Sequence, residues 1–335
     1  MIKKYSIYFI SIMIFSGILL SSCKKYIELK PHDATYDQVF WSSGDNVDKA
    51  LSGAYGLLRG AIRQDPAIHF IAGDLPADEF VLDGGEFWNY QSLLYNGRNL
   101  YSYVPYLESS LKDWTRFYAV INQCHLVVEN APNISSDKYD GGEAYKNQLI
   151  GEGRFVRAFT YFYITRIWGD AVLTKESLKD PLAVKPIARS PEDEVLNYCI
   201  DDLKQAAQLM DFNVGTGTSK VRADKGAAWA LLAHVYAWKH DYDNASKYCD
   251  SVINSGQYQL EDISNYENLW AGQSQECIFE LNLIYNADNT EATCYFFGVL
   301  LHGTLIYIQH ADKAWNIDTY FAPHVFPETV GDKSA

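Results

Sequence analysis

The 335-residue chain lacks the short motifs that mark most enzymes and nucleotide-binding proteins. It has no His-Glu-x-x-His zinc motif, no Gly-x-Ser-x-Gly nucleophile turn and no glycine-rich phosphate loop. Its formal net charge is -14 at pH 7, whereas nucleic-acid binding requires basic surface that displaces counterions. We therefore expect no catalysis, no cofactor, no resident metal ion and no nucleic-acid partner.

Acidic groups offer two alternatives to that expectation. A glycoside hydrolase uses a pair of carboxylates, and Asp78/Glu79 with Asp83/Glu86 could be such a pair. The two carboxylates must stand at a defined separation across a cleft, which sequence cannot give, so a solvated acidic loop is favoured. Asp288-Asn289-x-Glu291 has calcium-type ligands, but a plain turn is favoured.

Cysteine is scarce and scattered. The six cysteines are Cys23, Cys124, Cys199, Cys249, Cys277 and Cys294. An odd number follows Cys23, without clustered spacing, which indicates neither a disulfide framework nor a zinc site. Cys124, Cys199 and Cys249 fall within apolar helical patterns, so we predict that they are buried as small hydrophobic side chains.

Long hydrophobic runs are absent except near the N-terminus. Lys3 and Lys4 precede an apolar run from Ile7 to Leu20, which is short for a membrane span and typical of a secretory signal. The run ends in Leu20-Ser21-Ser22-Cys23, which resembles a bacterial lipobox; a chance cysteine at this point is the alternative. We predict a signal peptide over residues 1–22, lipidation of Cys23 and one domain over residues 23–335.

Helical periodicity dominates the sequence after residue 23, and the clearest example is Val221–Tyr258. Asp224 is a predicted N-cap, Gly256 is a predicted left-handed stop, and two short apolar helices lie between them. The tetratricopeptide signature is nearly present as Trp229, Leu232, Ala233, Tyr236, Ala245 and Cys249. One such unit cannot bury its own apolar face, so further helix pairs are expected.

Those further helices are predicted at about residues 45–63, 111–131, 144–168 and 190–210. Gly169 closes the third, and in the fourth Ser190 is the expected N-cap with Pro191 at the first helical position. The predicted fold is mostly α: tetratricopeptide-like helix pairs that form an α-solenoid-like core, with long loop-rich, partly β excursions. Short strands are expected at Glu276–Leu283 and Ala292–Leu301.

The first excursion, residues 72–108, combines aromatic side chains with amides and carboxylates. Sugar rings have flat C–H faces that stack on aromatic rings, while amide and carboxylate groups bind the hydroxyls. The candidate ligand-binding residues are Trp88, Asn89, Tyr90, Asp78, Tyr95 and Asn96, with Tyr295 and Trp315 from the second excursion. The alternative is that these aromatic side chains fix the loops to the helices.

One stretch resembles a known family. The core signature of SusD/RagB outer-membrane lipoproteins is similar to the stretch Arg154-x-x-Arg157-Ala158-Phe159-x-Tyr161-Phe162-x-x-x-Arg166-x-Trp168-Gly169-Asp170. Three other features occur in the same order along the chain as in that family: the lipobox with Leu29-Lys30-Pro31, the Ser190–Met210 helix, and Lys225-Gly226-Ala227. Family members are usually longer, so the C-terminal part is expected to be incomplete here.

The resemblance implies a lipid-anchored protein of the Bacteroidetes cell surface that captures oligosaccharide or polysaccharide. It implies delivery of that ligand to a TonB-dependent, SusC-like outer-membrane transporter, and it favours Trp88 and Asn89 as glycan contacts. Two alternatives remain open: a peptide-binding import lipoprotein, and a tetratricopeptide-type scaffold that docks another envelope protein.

Overall fold

The computed structural model describes residues 37–63, 72–73, 80–82, 112–178, 186–213, 215–216, 219–265, 267, 269, 272–281 and 315–317. The chain divides into two compact units, residues 1–40 and 41–335, which are described separately. The described part of the first unit contains the short helix α1, Asp37–Phe40. Everything below concerns the second unit.

The second unit is built mainly from helices, as the sequence predicts. They are α2 (Gly44–Arg63), α3 (Thr115–Asn130), α4 (Gly142–Trp168), α5 (Glu192–Leu209), α6 (Lys225–Trp238) and α7 (Tyr242–Asn254). Short 3-10 turns span Ala131–Asn133, Ser136–Lys138 and Ile263–Asn265, and two strands, β1 (Phe80–Leu82) and β2 (Trp315–Ile317), pair with each other. No helix in the described ranges is long and apolar enough to cross a membrane.

Helix α4 is the centre of the helical core. It packs against α2, α3 and α5, while α6 packs between α5 and α7. Neighbours in sequence are therefore neighbours in space, which is the arrangement of an α-solenoid. The side chains that α4 buries most completely include Leu149, Phe155, Val156, Tyr161 and Ile164.

Two glycines allow close approach between elements. A Cβ on Gly151 of α4 would overlap Cγ of Met210, at the end of α5, and one on Gly226 of α6 would overlap the Tyr258 ring. Neither position can carry a larger residue without displacing its neighbour.

The predicted tetratricopeptide-like pair is present as α6 and α7. The Asp224 carboxylate accepts a hydrogen bond from Ala227 N at 2.9 Å, which confirms the N-cap, and Gly256 has φ +66°, which confirms the left-handed stop. The rings of Tyr236 and Tyr248 stack across the pair at 5.7 Å. Tyr258 closes the unit, because its hydroxyl donates to the Asp224 carboxylate at 2.8 Å.

One predicted burial in this pair is wrong, because Cys249 is exposed, and Trp229 of the signature is half-buried against Phe212 rather than enclosed in the core. Among the described residues, α7 packs mainly on α6 and buries only Ala245 and Val252. Cys249 lies at the edge of that narrow buried stripe and meets solvent. The predicted burial of Cys124 and Cys199 is confirmed.

The start of α5 also differs. Pro191, not Ser190, is the N-cap, because Pro191 has a non-helical ψ of 144° and its carbonyl accepts the first helical N–H, that of Val195 at 3.2 Å. Ser190 instead bridges Ala171 through two hydrogen bonds of 2.7 and 3.2 Å. Asp170 supplies the cap in its place, since its carboxylate accepts the Glu192 N–H at 2.9 Å.

The predicted strand at 276–283 is wrong over its described part, residues 276–281. This segment makes a single backbone bond to the helical unit, from Glu280 N to Lys220 O at 2.8 Å, rather than a ladder. Its aromatic residue is used for anchoring, because Phe279 packs on Phe155 and Phe159 of α4 and on Tyr55 of α2. The other predicted strand, 292–301, lies outside the described residues.

Candidate functional site

The two short strands join the two excursions from which the candidate ligand residues come. β1 and β2 are antiparallel, and Leu82 lies opposite Trp315, with Val81 opposite Asn316 and Phe80 opposite Ile317. β1 begins two residues after Asp78 and ends six residues before Trp88 in the sequence. The backbone of one predicted ligand residue, Trp315, is therefore paired with the segment that carries all the others except Tyr295.

The remaining predicted ligand residues are not placed by the structure. Seven of them lie outside the described residues: Trp88, Asn89, Tyr90, Asp78, Tyr95, Asn96 and Tyr295. The predicted lipidation site, Cys23, lies outside them too. Their roles stay predictions, and Trp315 is placed through its backbone alone.

The second excursion starts from a fixed point on the helices. Lys220 is buried with φ +71°, and its ammonium group donates to Cys277 O at 2.5 Å and lies over the Tyr258 ring. Together with the ring contacts of Phe279, these contacts hold Tyr258 and residues 277–280 against α2, α4 and the start of α6. The chain that continues toward β2 therefore leaves from a firmly packed base.

The SusD/RagB-like signature on α4 builds a buried charge cluster. Arg157 donates from Nε and Nη2 to the two oxygens of Asp202 on α5, both at 2.8 Å, and Arg154 donates to the same carboxylate at 2.8 Å. The side chains of Arg157 and Asp202 retain 5% and 3% of their exposed surface. Such a bidentate pair fixes the position of α5 on α4, because neither charge can leave its partner without being stranded away from water.

His125 on α3 completes this cluster and remains neutral. Arg157 Nη1 lies 2.9 Å from His125 Nδ1, and because a guanidinium can only donate, Nδ1 must be the acceptor. The other ring nitrogen, Nε2, therefore carries the proton and donates to Thr174 O at 3.1 Å. Burial, aided by the Arg157 charge, lowers the pKa of His125 to about 4.

A second buried cluster joins α2 and α4 to Arg222, in the loop before α6. Glu152 accepts hydrogen bonds from Arg222 Nε at 2.6 Å and from the Tyr55 hydroxyl at 2.9 Å, and Arg222 also pairs with Asp48. Burial raises the pKa of the Glu152 carboxyl, and the Arg222 charge opposes that rise. Sequence reasoning missed both clusters; the one available signal was arginine at apolar-face positions of α4.

Two buried cysteines, Cys124 and Cys199, lie near the Arg157–Asp202 pair. Burial raises the pKa of the Cys124 thiol to about 12 and raises that of Cys199 still further, so neither is a nucleophile near neutral pH. Within the described ranges, no group of three or more His, Cys, Asp and Glu side chains could hold a metal ion.

Comparison with known proteins decides the family. A family model described as "Starch-binding associating with outer membrane", of the SusD-like type, matches residues 25–237. The chain belongs to the SusD-like family. The residue pattern of α4 and the order of the helices agree with this, and both the resemblance and the mostly α fold predicted from periodicity are confirmed.

Individual relatives give the same result. A SusD-like protein of Formosa agariphila is 30% identical over 260 residues, covering 77% of this SusD-like chain and 47% of the relative. A SusD-like protein of Bacteroides ovatus is 26% identical over 272 residues, covering 76% and 45%. The chain thus spans about half the length of these curated relatives.

Solved structures share the fold. A SusD superfamily protein from Bacteroides thetaiotaomicron has a TM-score of 0.69 at 24% identity, covering 86% of this chain and 63% of that one. A structure titled as a laminarin-binding SusD-like protein has a TM-score of 0.55 at 19% identity, covering 69% and 48%.

Proposed function

We propose that this SusD-like chain binds oligosaccharide or polysaccharide at the junction of its two excursions. The observation that carries the proposal is the backbone pairing of Leu82 with Trp315, which joins two segments that the sequence independently marks as aromatic and ligand-binding. The family description names starch binding, and one structural neighbour is named for laminarin binding; both support a glycan as the ligand.

The proposed binding chemistry combines stacking with hydrogen bonds. Trp88 and Trp315 offer rings on which sugar C–H faces can stack, and Asn89 and Asp78 offer polar groups for the hydroxyls. Such sites need only a few well-placed polar groups beside apolar surface, and they need no catalytic group. We therefore propose a binding protein rather than an enzyme.

The proposed cellular role follows from the anchor and the family. Lipidation at Cys23 would hold the protein at the outer membrane, and the bound glycan would pass to a TonB-dependent, SusC-like transporter. The association of the family with the outer membrane supports this location. Several acyl chains, at about 0.8 kcal/mol per buried methylene, are enough for stable attachment.

The experiment is a panel of polysaccharides, including starch and laminarin, tested by affinity electrophoresis with the full chain in detergent. We expect retardation by at least one glycan and its loss in Trp315→Ala. Ile253→Ala is the control, because Ile253 is an exposed apolar residue on α7. Retention of peptides but of no glycan would overturn the proposal in favour of a peptide-binding protein, and product release from a glycan would revive the hydrolase alternative.

A further inference from the structure

A second cleft lies within the described helices, where the C-terminal ends of α4 and α6 meet the N-terminal ends of α5 and α7. Its volume is about 600 Å³, which is within the range of small-molecule sites. Among the described residues that line it, none belongs to either buried charge cluster.

An exposed aromatic platform forms part of the cleft. Trp238 keeps 41% of its surface exposed and Tyr242 keeps 64%. The indole is nonetheless fixed, because its N–H donates to the Glu192 carboxylate at 2.7 Å and its ring meets Phe162 edge to face at 6.4 Å. A ring that is both rigid and open to solvent can accept the flat face of a ligand without losing further conformational freedom.

An arginine without a carboxylate partner lies beside this platform. The guanidinium carbon of Arg166 is 5.4 Å from the ring centroids of both Phe162 and Trp238, and the side chain is exposed. The other two arginines of α4, Arg154 and Arg157, both pair with Asp202, whereas no ion pair of Arg166 occurs among the described residues. Stacking uses the faces of the guanidinium and leaves its N–H edge for a planar anion.

The other polar side chains around the platform are the Glu192 carboxylate, which already accepts the Trp238 N–H, and His234, His240 and Tyr242. Desolvation, followed by the charge of Arg166, lowers the pKa of His234, so this imidazole is neutral at pH 7 and can donate or accept. His240 Nδ1 and the Tyr242 hydroxyl lie 3.0 Å apart at the opposite side. Distant charges of the chain act weakly here, because charges beyond about 8 Å are largely screened at physiological salt, whereas the Glu192 carboxylate in the cleft wall reduces the attraction that Arg166 offers an anion.

We propose that this cleft is a second ligand site, which binds a sugar ring that carries a carboxylate, the chemical class of uronic acid residues in acidic glycans. The carboxylate accepts paired hydrogen bonds from Arg166, the ring lies against Trp238 or Tyr242, and the hydroxyls meet His234. A peptide side chain fits less well, because the exposed rings are bordered by polar groups instead of forming a closed apolar pocket. The described lining of this cleft includes no candidate glycan residue, and the inference goes beyond the proposed function.

The test uses two disaccharides that differ only in the acidic group: digalacturonate, and α-1,4-galactobiose, in which a hydroxymethyl group replaces each carboxylate. By calorimetry with the full chain, we expect digalacturonate to bind at least about tenfold more tightly, a difference of about 1.4 kcal/mol. Raising the salt from about 0.05 M to about 0.5 M should weaken that binding several-fold.

Arg166→Gln should abolish the preference for digalacturonate, while Arg166→Lys, which keeps the charge but not the planar fork, should retain only part of it. The matched control is Arg189→Gln, because Arg189 is likewise exposed and likewise stacked on an indole, that of Trp114 at 4.5 Å. The control should bind digalacturonate like the parent chain, and melting temperatures measured on each variant verify that it is folded.

Equal affinity for the two disaccharides, no binding of digalacturonate, or the same loss in Arg189→Gln would each overturn the inference. So would Arg166-dependent binding of a peptide with a C-terminal phenylalanine carboxylate in the absence of digalacturonate binding. Trp88→Ala separates the two sites. This variant should leave the digalacturonate preference intact even where it removes binding of the glycan identified in the panel. Loss of the preference in Trp88→Ala but not in Arg166→Gln would assign recognition of the acid to the site of Trp88 and overturn the inference.

Discussion

Removing the carboxylate of Asp202 should destabilise the fold more than any other single charge change in the described helices. In Asp202→Asn the side chain keeps its shape, but Arg157, with 5% of its side chain exposed, loses its only carboxylate partner among the described residues. Arg154 is 21% exposed and can reach water more easily, so the stranded Arg157 dominates the cost. Breaking a buried pair on one side typically costs about 3–5 kcal/mol, a large share of the roughly 5–15 kcal/mol that stabilises a domain.

The assay is equilibrium urea unfolding followed by circular dichroism. Asp193→Asn is the matched control, because Asp193 lies on the same helix and also pairs with a cation, Lys239, but is 75% exposed. The control should change the unfolding free energy by less than about 1 kcal/mol. Replacing both partners, in Arg157→Met with Asp202→Leu, should recover much of the loss, because the deeply buried Arg157 charge is then absent and only Arg154, which is 21% exposed, loses its carboxylate. An Asp202→Asn midpoint equal to that of the parent chain would refute the argument that this cluster holds α5 on α4.

Three further predictions concern pH, packing and the anchor. The pKa of His125 is about 4 in the folded protein and 6.5 in the unfolded chain, so neutral His125 contributes roughly 3 kcal/mol to the unfolding free energy above pH 6.5, and this contribution is lost as the pH falls toward 4. Urea unfolding across this range should therefore show a shallower pH dependence in His125→Gln. An unchanged slope would contradict the prediction. Gly151→Ala should lower the melting temperature because the new methyl group overlaps Met210, whereas Gly53→Ala, with open space around it, should hold or raise it; equal shifts would refute the close approach. Cys23→Ala should abolish fatty-acid labelling and membrane retention, and normal labelling would remove the lipobox assignment.

The helices were predictable because their information is local. Periodic apolar residues place α2, α4 and α7 within about three residues of their observed ends, and Asp224 and Gly256 mark boundaries through their own backbone chemistry. The buried clusters were not predictable in the same way. Arg157 and Asp202 are 45 residues apart in sequence, and no period relates the two positions.

The errors have a common physical origin, since tertiary position overrides local pattern. Cys249 has helical spacing, but α7 packs mainly on α6 and buries only a narrow stripe, at whose edge Cys249 is exposed. Ser190 is a good N-cap residue, but it pairs with Ala171 and the helix begins one residue later than predicted, where Asp170 accepts the Glu192 N–H. Phe279 has strand-like neighbours, yet its ring packs on α4. At the candidate site, the sequence suggested residues 88 and 315 separately, and only the β1–β2 pairing joins their segments.

The most direct test of the central claim is to measure glycan affinity and thermal stability on the same Trp88→Ala protein, using whichever glycan the panel identifies. If Trp88 is a stacking platform, its loss should leave unfolding within about 0.5 kcal/mol of the parent chain while affinity falls more than about tenfold, because a central aromatic contact contributes on the order of 2 kcal/mol to binding. A variant that melts at a lower temperature but whose folded fraction binds the glycan normally would contradict the account and assign Trp88 to packing.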